Sequence, residues 1–159
     1  MLYRVLLPAI AALVGACGFQ LQGELNVPPE MERTYIDPFE RNTQFHRELE
    51  RQLLAAGVAV VDSPDDATAI LTITADQTGQ RVLSVSARNV PTEYEVFYTV
   101  EYALASGEET LLAPQDITFV RDYTWDETLV LGKAREEDLM RKAIVTDLVR
   151  TVLKQISTL

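Results

Sequence analysis

The chain has 159 residues, with 14 basic and 24 acidic side chains and a net charge of −10. With 47% hydrophobic residues and no low-complexity run, it has the composition of an ordinary globular domain and not of a disordered or fibrous chain. Acidity of this size argues against nucleic acid as a partner and against electrostatic docking on anionic lipid head groups.

Arg4 precedes an apolar run from Val5 to Ala16. A run of about a dozen residues is too short to cross a bilayer, which takes roughly 20, but it suits the apolar region of a cleavable secretory signal. Small residues then lead to the only cysteine, in Val14-Gly15-Ala16-Cys17, which is the layout of a lipobox. A lone cysteine in an exported chain has no disulfide partner. Diacylglycerol on its sulfur and an acyl group on its new amino terminus resolve that oddity, because stable anchoring takes more than one chain. Gly18 stands where an aspartate would signal inner-membrane retention, so the expected address is the outer membrane. Cleavage of the first 16 of 159 residues leaves 143, the size of one domain, with a net charge of about −11 once Arg4 is gone. The expected organisation is a signal peptide at 1–16, a lipidated extended leader at 17–30, and a single domain at 31–159.

In the leader, glycine and proline alternate with scattered apolar residues. Met31 to Asp37 is a short β-compatible segment stopped by Pro38. Asn42 to Ala56 predicts a helix, capped by Asn42 or Thr43, with Phe45, Leu49, Leu53 and Ala56 on one stripe and Gly57 ending it. His46 has no companion cysteine or histidine and reads as an ordinary surface residue. Val58 to Val61 reads as a brief extended piece, followed by a loop.

From Ala69 the strand signal strengthens. Ala69, Leu71, Ile73 and Ala75 share one face, and Leu83, Val85 and Ala87 resume on the same odd-numbered parity, which a single inserted bulge would flip. Ala69 to Ala87 is therefore one long strand, or else two strands around a turn at Gly79. After a turn at Arg88-Asn89-Val90-Pro91, the segment Thr92 to Leu104 alternates Tyr94, Val96, Tyr98, Val100, Tyr102 and Leu104 against polar residues. A hairpin turn at Ser106-Gly107-Glu108-Glu109 leads to a last strand, Gln115 to Trp125, preceded by Pro114. The final helix carries Glu136, Glu137 and Asp138 in its expected first turns. Its apolar stripe is Met140, Ile144, Leu148, Val152 and Ile156, flanked by Val145, Val149 and Leu153. The expected fold class is α+β: two helices packed on one face of a four-stranded, mostly antiparallel sheet, in the order β-α-β-β-β-α.

Catalytic chemistry is sparse. There is no glycine-rich phosphate loop, nucleophile elbow or metal-ligand spacing. Glu93 and Glu95 share a strand face, as do Asp122 and Thr124, which more often means a solvated surface than a glycosidase pair. Two cations stand out by position: Arg88 at the end of the long strand and Lys133 at the start of the last helix, where exposed cationic groups can meet a phosphate or carboxylate.

Three stretches carry a resemblance. Cys17-Gly18-Phe19-Gln20-Leu21-Gln22-Gly23 resembles the mature start of the LptE family of lipopolysaccharide-assembly lipoproteins. Leu83-Ser84-Val85-Ser86-Ala87-Arg88 with Glu93-Tyr94-Glu95-Val96 is similar to that family's strand–turn–strand signature. Arg121-Asp122-Tyr123, with Val130-Leu131-Gly132-Lys133 and Glu136-Glu137, is similar to its last strand and the beginning of its last helix. The resemblance implies a lipoprotein that forms a 1:1 complex with the outer-membrane β-barrel LptD, plugs its lumen, assists its assembly and binds lipopolysaccharide. It implies two helices on a four-stranded sheet, lipopolysaccharide contacts at Arg88 and Lys133, no catalytic residues and no cofactor beyond the lipid on Cys17. The alternative expectation is a periplasm-facing lipid-binding or adaptor lipoprotein without a barrel partner. A lipid-modifying or glycan-cleaving enzyme is the third.

Overall fold

The computed structural model describes residues 26–125 and 130–159, apart from the side chains of residues 130, 131, 133 and 134. The expected signal peptide, Cys17 and most of the leader lie outside the described residues. The elements are β1 (Arg33–Asp37), α1 (Gln44–Ala55), β2 (Ala59–Val61), β3 (Ala69–Val85), β4 (Pro91–Ser106), β5 (Glu109–Thr124) and α2 (Val130–Ile156).

The fold is α+β with two helices, as expected, but the sheet has five strands in the order β2-β1-β3-β4-β5 and is mixed. The expectation of four strands in the order β-α-β-β-β-α is corrected by β2. Ala59–Val61 pairs in parallel with Arg33–Tyr35, so α1 is a crossover between two parallel strands. Strand β1 also runs parallel to β3, while β3, β4 and β5 are antiparallel neighbours. Three residues with little alternation carry almost no strand signal of their own; pairing with β1 makes them a strand.

Strand β3 is continuous through Gly79, which settles the alternatives left by the sequence. Its parity is not continuous. Ile73 pairs with Tyr102 and Ala75 with Glu101, so Thr74 is an inserted bulge residue that turns the strand over. Beyond it Asp76, Thr78 and Gln80 stand opposite Val100, Tyr98 and Val96, and a second irregularity follows Val82. Leu83 and Val85 are about half exposed and do not extend the buried face of Leu71 and Ile73, correcting that expectation. Strand β5 begins at Glu109, so Pro114 lies inside it. It does so on an edge strand, where a missing amide is tolerated, near a register shift between Tyr102 and Leu104.

One core lies between the helices and one sheet face. Phe45, Leu49 and Leu53 of α1 are fully buried, and so are Leu148, Val149, Val152, Leu153 and Ile156 of α2, against Leu71, Val96, Val100 and Tyr102. Each such aliphatic side chain contributes roughly 1.5–3 kcal/mol of burial free energy. Thr43 caps α1, its hydroxyl accepting from the His46 amide at 3.0 Å, and Gly57 closes the helix at φ +84°. Helix α2 begins at Val130, so Glu136 to Asp138 lie beyond its first turn and the expected dipole role is corrected. Glu137 and Asp138 instead pair with Arg141 at 2.6 Å and Lys142 at 2.7 Å, one turn on.

Candidate functional site

The β3–β4 hairpin ends in a turn built by Ser86. Its amide donates to the Val90 carbonyl at 2.8 Å, its carbonyl accepts from the Asn89 amide at 2.8 Å, and its hydroxyl accepts from the Val90 amide at 3.2 Å. Asn89 takes the left-handed conformation at φ +60°, which asparagine tolerates better than most side chains. Arg88 stands at the tip, exposed, and makes no ion pair or side-chain hydrogen bond among the described residues.

Exposed apolar side chains lie on the same hairpin. Val82, Leu83, Val85 and Val90 are between 37% and 52% exposed. Sequence reasoning assigned Leu83 and Val85 to the buried face; both are at the surface, in a stretch where the β3–β4 register is irregular. The available signal was the polar run Asp76 to Arg81, which breaks the apolar alternation just where the strand turns over. Behind the tip, Tyr94 stacks on Tyr123 at 5.7 Å and meets Trp125 edge-on at 5.6 Å. The Trp125 amide donates to the Thr92 carbonyl at 2.8 Å, extending the β4–β5 ladder towards the same end. Burial raises the Tyr123 phenol above its ordinary pKa, and its hydroxyl donates to Gln80 at 3.1 Å.

The backbone of residue 133 belongs to the opening turns of α2, and the Lys133 side chain lies outside the described residues. Topology nevertheless brings Arg88 and the start of α2 to one end of the sheet. Thr124 is paired with Glu93 beside the tip, and Val130 follows only a few residues later, a span of at most roughly 20 Å. Cys17 lies outside the described residues. A guanidinium without a partner among the described residues, on a hairpin that also exposes aliphatic groups, can meet an anionic group while its neighbours meet an apolar chain.

The carboxylates singled out in the sequence are in other company. Glu95 is opposite Asp122 and Glu93 opposite Thr124 on the sheet face away from the helices. Glu95 is only 8% exposed and pairs with Arg81, and Glu93 accepts from the Ser84 hydroxyl at 2.9 Å. His46 is part-buried, and desolvation lowers its pKa below the ordinary histidine value. Among the described residues no group of three metal-binding side chains converges, and no helix is long and apolar enough to cross a membrane.

Residues 31–156 match the model of a family described as LptE, lipopolysaccharide-assembly. An LPS-assembly lipoprotein LptE of Yersinia enterocolitica is 28% identical over 142 residues, 87% of this chain and 67% of that protein. Among solved structures, an uncharacterized lipoprotein B from Nitrosomonas europaea has a TM-score of 0.73 at 29% identity, covering 88% of this chain and 90% of the other. The rare lipoprotein B from Shewanella oneidensis has a TM-score of 0.68 at 26% identity, with coverage of 79% and 94%.

Proposed function

The chain belongs to the LptE family of non-enzymatic lipopolysaccharide-assembly lipoproteins, and from that premise we propose that it plugs the LPS-translocating barrel LptD. It assists the barrel's assembly and binds lipopolysaccharide on its way to the outer leaflet. Acylation of Cys17 tethers it to the outer membrane on the periplasmic side, one copy per barrel.

The observation that carries this reading is the family match over residues 31–156, which spans every strand and both helices. The hairpin tip supports the lipopolysaccharide part: Arg88 is an unpaired cation beside exposed aliphatic groups, in a chain whose net charge of −10 repels anions elsewhere. Lys133, on the helix that starts at the same end, is its proposed companion. Both would engage lipid phosphates while the aliphatic rim meets acyl chains.

Depletion of the protein is expected to leave LptD misassembled and to block surface delivery of lipopolysaccharide; normal barrel and surface levels would sink the proposal. The double charge reversal Arg88→Glu with Lys133→Glu is expected to weaken lipopolysaccharide binding by tenfold or more, with roughly 1.5–3 kcal/mol at stake in each charged hydrogen bond. It leaves barrel assembly intact. Unchanged lipopolysaccharide binding would reject these two residues.

A further inference from the structure

Helix α2 is packed along only part of its length. Among the described side chains, every buried residue of α2 lies between Ile144 and Ile156. None lies between Arg135 and Ala143, where Leu139 is 66% exposed and Met140 is only partly buried against the core. Residues 130–143 therefore amount to about 20 Å of helix with little apolar attachment. Gly132 lowers the intrinsic stability of these turns further. A segment with few buried apolar contacts opens at lower cost than the body it joins.

Arg141 ties these turns to the sheet, at the boundary between the two parts. Its Nη1 donates to the Thr78 hydroxyl of β3 at 2.6 Å, and that hydroxyl donates in turn to the Phe97 carbonyl of β4 at 2.9 Å. Its Nη2 and Nε donate to Glu137, one turn earlier on the helix, at 2.6 and 3.2 Å. One planar fork thus joins helix to sheet, which the point charge of a lysine does not reproduce. Tyr123 of β5 lies under the same turns. It is 5% exposed, and its phenol feels the charges of Glu136, Glu137 and Arg141. These turns also carry the backbone of residue 133.

We propose that residues 130–141 form a unit that opens separately from the rest of α2, and that Arg141 is a positioning residue that closes this unit over Tyr123 and so sets where Lys133 stands relative to Arg88. The opening unit stands on the packing alone. The role toward Lys133 rests on the reading of Arg88 and Lys133 as lipopolysaccharide contacts. Unwinding from Val130 towards Arg141 uncovers Tyr123 and carries residue 133 away from the sheet, while the buried stretch from Ile144 onward stays in place.

The test follows amide hydrogen exchange in the full-length lipoprotein in detergent. Amides 135–141 are expected to exchange on the order of a hundredfold faster than amides 148–156, which open only with the whole domain. Thr78→Val removes the acceptor without touching the helix, and is expected to speed exchange at 135–141 about tenfold and leave 148–156 unchanged. Arg141→Gln does the same, and combining the two adds nothing further. Glu137→Gln breaks only the pair within the helix and changes exchange about twofold. Gly132→Ala, where a Cβ meets nothing within 4 Å, slows the same amides about fivefold. Equal protection along the whole of α2 overturns the opening unit, and unchanged exchange in Thr78→Val overturns the clamp. For the positioning role, lipopolysaccharide binding is measured in the parent and in a Lys133→Gln background. Arg141→Gln is expected to weaken binding severalfold in the first and not at all in the second; equal losses in both, or none in either, overturn that role. A Lys133→Gln protein that binds as tightly as its parent overturns the tip reading and the positioning role with it, and the exchange pattern still decides the opening unit.

Discussion

At Gly79 a side chain would have to displace a ring. A Cβ there would lie 2.7 Å from Phe97 Cζ, because the ring of Phe97 covers its cross-strand partner on the open sheet face, with the Arg81 guanidinium 6.0 Å from the ring centre. Gly79→Ala is expected to destabilise the fold by about 1 kcal/mol through overpacking. In a Phe97→Ala background the same change is expected to be neutral or stabilising, because glycine is a poor strand residue once the ring is gone. Paired denaturation curves read the coupling. Glu48 gives a second test at this scale. The Arg51 guanidinium donating to both its oxygens holds its carboxyl below the ordinary 4.5. That stabilisation is fully present above 4.5 and is lost as pH falls through the lower folded value. Glu48→Gln should therefore lower stability slightly in the neutral region, where the pair is ionised, and flatten the acid limb below 4.5, so that the two profiles converge at low pH. Arg88 at a turn was legible from the residues around it, since Arg-Asn-Val-Pro after an alternating strand is turn chemistry. The ring over Gly79 was not, because it depends on a register that only pairing defines.

At the scale of the elements, periodic segments were readable and marginal ones were not. The stripe from Ile144 to Ile156 of α2 and the even-numbered face of β4 are buried as their spacing predicts, because a helix or strand with one wide apolar face has one way to cover it. Strand β2 and the bulge at Thr74 escaped, for one lacks alternation and the other depends on what β4 presents opposite. The same pairing puts Glu101 directly across from Asp116 on the face no helix covers, beside the Thr99–Thr118 hydroxyl pair at 2.8 Å. Like charges in that arrangement repel. Asp116→Lys is accordingly expected to raise stability by roughly 0.2–1 kcal/mol, read as a shift in the denaturation midpoint. An unchanged or lowered midpoint would show that the two carboxylates do not interact in the folded state.

The whole molecule has a helix-covered face, an open acidic sheet face, and a hairpin tip carrying a free cation among aliphatic groups. Such a shape suits a plug: the open face and loops are available to a surrounding wall, and the tip projects beyond the core. The ordered resemblance over three stretches was legible as a family, which the match over residues 31–156 bears out. The exposed apolar residues near the tip were not legible, since the β3–β4 ladder is interrupted by three register irregularities that only pairing defines. The central claim is the partnership with LptD. The most direct measurement is co-purification of the tagged, full-length lipoprotein from detergent-solubilised outer membranes. A stoichiometric large β-barrel retained through size exclusion is the predicted result. A lipoprotein that emerges alone, or only with substoichiometric barrel, would contradict the account.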